Sequence, residues 1–266
     1  MIKDIDGLIK DVCKQIREQC DVAVIGLSGG ADSTLVAILC KEALGADNVI
    51  GVHLPYGDTD LKTFNSRSQK LSSHLGIRSE FIPIGAAVDS LKDTIETRTV
   101  LETIEPLSQL NAGNMRSRMR MIVLYAICCK EAEATGKRVR VVGTDNLSEN
   151  FISFFTKFGD GGVDFNPIAT IYKSEVYQLL DYFRDNKVID NDMVDRIPSA
   201  GLWNNQTDEG ELGYTYFEME ESIRRCMAGT QDITNNPVDK FVWERHMTGL
   251  HKNKTPPVFE LRSYCD

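Results

Sequence analysis

Residues 24–34 read VIGLSGGADST. An apolar run stops at Ser28, and two glycines, an alanine, an acid and two hydroxyls follow. Apolar, β-branched residues ending at glycine form the pattern of a buried strand that terminates. DSTLVAILCKEAL, from Asp32 to Leu44, has a helical pattern. At such a junction Gly29 and Gly30 let the chain turn sharply and bring its backbone close to a ligand. A helix N-terminus presents unpaired N–H groups and a partial positive charge, which together make a cradle for phosphate. The Ser28 and Ser33 hydroxyls point to the same use. Asp32, misplaced beside an anion, makes sense if it holds a divalent cation that the phosphate also binds. The competing reading is an ordinary capped helix with Ser28 or Asp32 as its cap. Two familiar phosphate loops are absent at this strand: no lysine follows Gly30, and there is no G-x-G-x-x-G.

Outward from this stretch, strands alternate with helices. An amphipathic N-terminal helix with Ile2, Ile5, Ile9, Val12 and Ile16 near one face precedes the first strand, residues 21–27. NVIGVHLP (48–55), SEFIPI (79–84) and RVRVVGT (138–144) read as further strands, with helical stretches over 61–75 and about 115–134 between them. Nearly continuous apolar strands separated by helices predict an α/β fold, a doubly wound parallel sheet flanked by helices. Ligands in such folds sit at the carboxyl ends of the strands. After Thr144 the pattern becomes helices and polar loops, and residues 199–213 (SAGLWNNQTDEGELG) read as a mobile loop. No repeat or linker divides the chain, so residues 1–266 are expected to form a single domain.

Composition narrows the function classes. The 266 residues carry a formal net charge of −9, which argues against wrapping nucleic acid. No apolar stretch approaches the ~20 residues of a membrane span, and the N-terminus is not a signal peptide. Seven scattered cysteines, none in C-x-x-C spacing, argue against a disulfide framework or a zinc site and for a reducing cytoplasm. Cys40, Cys128 and Cys129 lie in apolar helical patterns and read as packing residues.

Ser28-Gly29-Gly30-Ala31-Asp32-Ser33 resembles the pyrophosphate loop of the ATP pyrophosphatases, which split ATP to AMP and pyrophosphate. LPYG (54–57), GNMRSRMRM (113–121), VVGTDNLSE (141–149), FFTKFGDGGVDFNPI (154–168) and His251-Lys252 then resemble the NAD synthetase family, in that order along the chain. The resemblance covers about residues 22–256 and implies an adenine nucleotide alpha hydrolase-like fold. It implies an ATP- and Mg2+-dependent ligase of NAD biosynthesis. Such an enzyme amidates deamido-NAD (nicotinic acid adenine dinucleotide) through an adenylated intermediate and releases AMP and pyrophosphate.

The resemblance also distributes roles. Gly26, Leu27, Ser28, Gly29, Gly30, Ala31, Asp32 and Ser33 match the ATP-binding segment, with Thr144, Lys173 and Ser199. Ser199 stands where the family commonly has threonine and keeps the hydroxyl. Asp32 and Glu149 match magnesium ligands. Arg118, Lys157, Asp164, His251 and Lys252 match contacts to deamido-NAD, although Asn253-Lys254 replaces the arginines common after the His-Lys pair. Read from the residues alone, each has a plainer alternative. Glu149 can be a solvated helix-start acid, and Lys173 a first-turn lysine of a surface helix. The glycines at 159, 161 and 162 can mark a surface turn. Arg116 and Arg120 share a helix face while Arg118 points elsewhere, and Arg116 reads as part of a solvated basic face.

No covalent nucleophile is required, because the substrate carboxylate attacks. Glutamine-dependent relatives carry an added amidase domain. About twenty residues precede the first strand here, too few for such a domain, so free ammonia is the expected nitrogen donor. The family is typically a homodimer with substrate sites at the subunit interface. Alternatives are another amidating or thiolating pyrophosphatase, or a non-catalytic nucleotide sensor on the same fold.

Overall fold

The computed structural model describes residues 1–57, 67–97, 106–190 and 207–259. Helix α1 (Ile5–Gln19) leads into β1 (Val22–Gly26), then α2 (Ala31–Leu44), β2 (Val49–His53), α3 (Gln69–Leu75), β3 (Arg78–Phe81), α4 (Gly85–Thr97), α5 (Gln109–Thr135) and β4 (Val139–Val142). Five further helices complete the described chain: α6 (Leu147–Phe151), α7 (Lys173–Asp185), α8 (Asp208–Leu212), α9 (Tyr216–Ala228) and α10 (Pro237–Gly249).

The strands form one parallel sheet in the order β3-β2-β1-β4. β1 lies between β2 and β4, with Ile25 in register with Gly51 on one side and Val142 on the other. The chain leaves β1 in one direction for β2 and β3 and returns on the other side for β4. The crevice at the carboxyl ends of β1 and β4 is therefore the switch point where doubly wound sheets bind ligands.

Side-chain alternation along β1 covers both faces. Ala23 and Ile25 pack with Ile16 of α1, Leu35 and Leu39 of α2, and Val176, Leu179 and Leu180 of α7. Val22 and Val24 pack with Ile50, Val52, Val88, Cys128 and Val141 on the other face. α2 is apolar almost all round and buried almost all round, so it tolerates no polar face. Each fully buried aliphatic side chain here contributes about 1.5–3 kcal/mol relative to exposure. A third cluster, with Ile152, Leu212, Tyr216, Met219, Ile223 and Val242, joins α8, α9 and α10 beside the sheet.

Four expectations change. β3 is the outer strand of the sheet, and all four of its residues are exposed rather than sandwiched. α5 begins earlier than its apolar pattern suggests, because the Ser108 hydroxyl caps it by accepting from the Asn111 N–H. Residues 207–213 are not loop. Thr207 caps α8, Asp208 and Leu212 are buried, and Gly213 closes the helix in the left-handed conformation. Residues 199–206 of that stretch lie outside the described residues, as does 61–66 of the second helical stretch. Cys40 and Cys128 are buried as expected, but Cys129 is exposed.

Candidate active site

A cavity of about 450 Å3 opens at the carboxyl ends of β1 and β4. Its first wall is the loop that follows β1. Gly29 takes a left-handed conformation, with φ of 73°, that an L side chain would strain. Gly30 is the N-cap of α2 and supplies no side-chain cap, so neither Ser28 nor Asp32 caps the helix. Ser28 Oγ instead accepts from the Gly30 N–H at 3.2 Å and lies 3.2 Å from Ser33 Oγ. Thr34 Oγ1 donates to the Gly30 carbonyl at 2.8 Å. The loop is thus tied within itself, and the first turn of α2 faces the cavity.

The opposite wall is assembled from distant parts. Asn146 caps α6 by accepting from the Glu149 N–H, and its amide nitrogen donates to Asp32 Oδ1 at 2.9 Å. Lys173 opens α7. Its ammonium lies 2.5 Å from Asp32 Oδ2 and 3.0 Å from Glu149 Oε1, and the residue is 3 % exposed. Neither plainer reading survives: Lys173 is a first-turn lysine turned inward rather than exposed, and Glu149 is a first-turn acid turned inward to that buried ammonium. Enclosure pushes the Glu149 carboxyl up to about 7. The Lys173 ammonium opposes that shift, and Asp32 and Asp208 add to it. Burial alone would lower Lys173, but the Asp32 and Glu149 carboxylates outweigh it and hold the ammonium above its usual range. Asp145 also lines the cavity. Burial, reinforced by Asp160, Glu149 and Asp32, holds its carboxyl well above the ordinary carboxylate value. Asp32 and Glu149 therefore share one ammonium, two hard oxygen donors gathered around a single cation.

The glycine block packs against α5. A Cβ on Gly159 would collide with Ser117 Oγ, which donates to Asp160 Oδ1 at 2.7 Å and accepts from the Asp160 N–H at 2.9 Å. Close approach to α5, rather than a surface turn, explains that glycine. Lys252 enters from the C-terminal side and donates to the Ser153 and Phe155 carbonyls at 2.9 and 2.7 Å.

A sequence profile described as NAD synthase matches residues 1–254. The chain belongs to that family. Among curated relatives, it is 36% identical over 248 residues to the NH(3)-dependent NAD(+) synthetase of Methanosarcina acetivorans, covering 91% of each chain. It is 38% identical over 271 residues to the protein of that name from Pyrococcus horikoshii, covering 97% of each. A solved structure of NMN synthetase from Francisella tularensis superposes with a TM-score of 0.79 at 27% identity, covering 98% of this chain and 100% of that one. The NH3-dependent NAD synthetase of Campylobacter jejuni, at 24% identity, shares the fold with a TM-score of 0.73 over 97% of this chain and 100% of that one. With the NAD synthase family comes the enzyme class: the chain is a carbon–nitrogen ligase.

Within this NAD synthase family member, the cavity gathers the candidate ATP residues of the β1–α2 segment, except Gly29, together with Thr144, Glu149, Lys173 and Lys252. Gly29 makes the turn behind them. Arg118, Lys157 and His251 stand together outside that lining. Arg118 Nε donates to the Lys157 carbonyl at 3.3 Å, and Lys157 Nζ to the His251 carbonyl at 2.7 Å. Asp164 is also outside; its carboxylate accepts from the Val141 N–H at 2.7 Å and from the Tyr125 hydroxyl at 3.3 Å, and so braces β4. Ser199 lies outside the described residues. Arg116 is not on a solvated face. It lies half-buried over the Tyr56 ring at 3.9 Å. Arg120 donates to the Leu54 carbonyl at 3.1 Å on the same side of α5.

Sequence reasoning passed over Asn146, Asp145, Asp208 and Tyr216. Asn146 carried a signal, as an asparagine immediately before a helical pattern. Tyr216 carried none, because its partner Glu149 is 67 residues away in the chain.

Proposed function

We propose that the enzyme amidates deamido-NAD to NAD with ammonia, driven by ATP cleavage to AMP and pyrophosphate through an adenylated intermediate. The observation that carries this is the Asp32–Lys173–Glu149 cluster facing an uncapped helix N-terminus across one cavity. Its chemistry is neutralisation of a triphosphate. In the first step a carboxylate oxygen of the substrate attacks the α-phosphorus. The bond from that phosphorus to the bridging oxygen breaks, and pyrophosphate leaves with the electron pair. In the second step ammonia attacks the activated carbonyl carbon, the carbon–oxygen bond to AMP breaks, and the nitrogen loses a proton. The protein positions both substrates and offsets developing charge, and no side chain has to form a covalent bond.

The parts divide as follows. The Ser28 and Ser33 hydroxyls and the first-turn N–H groups of α2 hold the departing pyrophosphate. Lys173 neutralises it from the other wall. The donor set fits Mg2+. Asp32 and Glu149 are hard oxygen donors already gathered around one cation, and magnesium takes its remaining ligands from phosphates and waters. Asp32 and Glu149 would hold the ion, which supplies charge neutralisation at the phosphates. Thr144 and Ser199 contact the nucleotide. Arg118, Lys157, Asp164, His251 and Lys252 serve the dinucleotide.

A homodimer is part of the same reading. On α5, Leu110 and Ile122 expose 56% and 55% of their surface. Ile122 lies one turn from Arg118, so an apolar interface there would adjoin the dinucleotide residues. A single domain and a cytoplasmic setting complete the proposal; the buried, unpaired Cys13, Cys20 and Cys40 suit a reducing compartment.

The test is pyrophosphate release by the protein with ATP, magnesium and ammonia, and with deamido-NAD or nicotinic acid mononucleotide as acceptor. The mononucleotide arm is included because the Francisella tularensis neighbour is named NMN synthetase. Release with deamido-NAD at the higher kcat/KM is expected. Preference for the mononucleotide would move the substrate assignment, and release with neither would overturn the reading.

A further inference from the structure

α7 is capped by its own residues only in part. Tyr172 is the N-cap; its N–H donates to Glu175 Oε2 at 2.9 Å and its carbonyl accepts from the Glu175 N–H, but the Lys173 and Ser174 N–H groups need partners from elsewhere. Two other helices supply them. The Lys173 N–H donates to Ser148 Oγ at 3.0 Å, and the Ser174 N–H to Glu220 Oε1 at 3.0 Å. Glu220, on α9, is 2 % exposed. It also accepts from the Ser148 hydroxyl at 2.9 Å and from the Ser174 hydroxyl at 2.5 Å, and Arg224 stands 3.8 Å away. One buried carboxylate therefore grips the residue before Glu149 and the residue after Lys173.

Tyr216 lies one turn earlier on the same face of α9. Its hydroxyl is 3.0 Å from Glu149 Oε1 and 2.9 Å from Asp208 Oδ2. Capping alone needs only an acceptor, which a serine or asparagine at 172 would provide locally. Here the acceptor comes from a helix that also touches the Glu149 side chain. The starts of α6 and α7 meet directly, through the Leu147 N–H to the Ile171 carbonyl at 2.8 Å and the Lys173 N–H to Ser148 Oγ, and α9 braces that junction through Glu220 and the Glu149 side chain through Tyr216.

We propose that α9 is the template of the ATP half of the site, with Tyr216 and Glu220 as positioning residues that set Glu149 and Lys173 against the phosphate loop. The proposal rests on reading Asp32, Glu149 and Lys173 as the triphosphate end of the site. Tyr216 acts on Glu149 through its hydroxyl. Glu220 acts through Ser148 and the first turn of α7. Neither faces the dinucleotide residues Arg118, Lys157 and His251, so their loss should leave that substrate's binding alone.

The experiment compares the wild type with Tyr216→Phe, Glu220→Ala and Glu220→Gln in the full chain. ATP affinity is measured by calorimetry with magnesium and no acceptor. Steady-state pyrophosphate release is measured at a temperature where each variant is folded, titrating ATP and deamido-NAD separately. Tyr216→Phe and Glu220→Ala should each weaken ATP binding and lower kcat by about 10–100-fold, the usual effect of losing a group that orients a ligand. KM for deamido-NAD should stay within about twofold. Glu220→Gln keeps an oxygen for Ser148 and the Ser174 N–H and should recover most of the loss. ATP affinity and kcat within about twofold of wild type in Tyr216→Phe would overturn the proposal, and so would equal weakening of both substrates. If Glu220→Ala fails to fold, Tyr216→Phe decides, since it keeps the ring and removes only an oxygen. A wild type that binds no ATP would overturn the functional reading itself. Normal wild-type binding with unaffected variants would overturn only the role of α9.

Discussion

The two walls of the cavity do similar electrostatic work by different means. The loop from Ser28 to Thr34 makes its bonds within seven residues: Ser28 to Gly30, Ser28 to Ser33, and Thr34 to Gly30. The facing wall places Glu149 and Lys173 with help from α2, α6, α7, α8 and α9. A wall built locally forms whenever its strand and helix form. A wall assembled from five helices is only as accurate as their packing, so distant substitutions should disturb it and leave the first wall intact. Asp32 belongs to both, standing in the first turn of α2 and bonded to Asn146 and Lys173 of the other side.

The largest effect should come from breaking that link. Asp32→Asn removes the charge that pairs with Lys173 and takes one carboxylate from the proposed magnesium site. Pyrophosphate release should fall by at least about 10²–10³. The fold should persist, because the side chain lies at the cavity rather than in the core, and circular dichroism against temperature checks this. Near-normal turnover with unchanged magnesium dependence would show that the two walls do not meet through Asp32.

Gly159→Ala tests the assembled wall from a distance. The added methyl meets Ser117, and overpacking of this kind costs about 1–3 kcal/mol. Urea denaturation should show the loss. A stable single variant would mean that the glycine block does not depend on its close contact with α5.

Lys157→Ala sharpens the comparison, because Lys157 belongs to neither wall. It should raise KM for deamido-NAD about tenfold and leave KM for ATP within twofold. The reverse pattern in substrate titrations would redraw the division of the site.

The smallest effect concerns pH. His53 ends β2 and is buried, with Nε2 3.2 Å from the Ser72 hydroxyl and 3.0 Å from that of Ser79. Burial pushes its pKa down from 6.5 to about 4. Between those values the unfolded chain binds a proton that the native state refuses, so stability falls as pH drops through that window. His53→Asn should show a shallower decline of the urea midpoint between pH 6.5 and 4. An unchanged slope would assign the decline to other groups.

Much of the site was legible beforehand, and the residues show why. Strand, glycine pair and helix sit next to one another in the chain, so the phosphate loop could be read as a unit. The doubly wound parallel sheet was legible from the alternation of apolar strands and helices, and the parallel pairing of β1 with β4, Ile25 opposite Val142, belongs to that fold. β3 was misjudged because Ile82 and Ile84 of the 79–84 stretch fall after the strand, whose own Arg78, Ser79 and Glu80 are polar. Residues 207–213 were misjudged because Gly210 and Gly213 resemble loop punctuation, whereas Thr207 caps a helix that buries Leu212.

The sequence by itself determined the alternation of strands and helices, the glycine-led helix start after β1, and the residues that mark the family, all of which depend on neighbours in the chain. Only the tertiary structure decided that Lys173 is buried between two carboxylates, and that Asp164 braces β4 outside the cavity lining. It alone also showed that Tyr216 and Glu220 touch the groups beside them. Those contacts join residues dozens of positions apart, and a buried charge finds its partner through packed helices in three dimensions, where spacing along the chain carries no record of the distance.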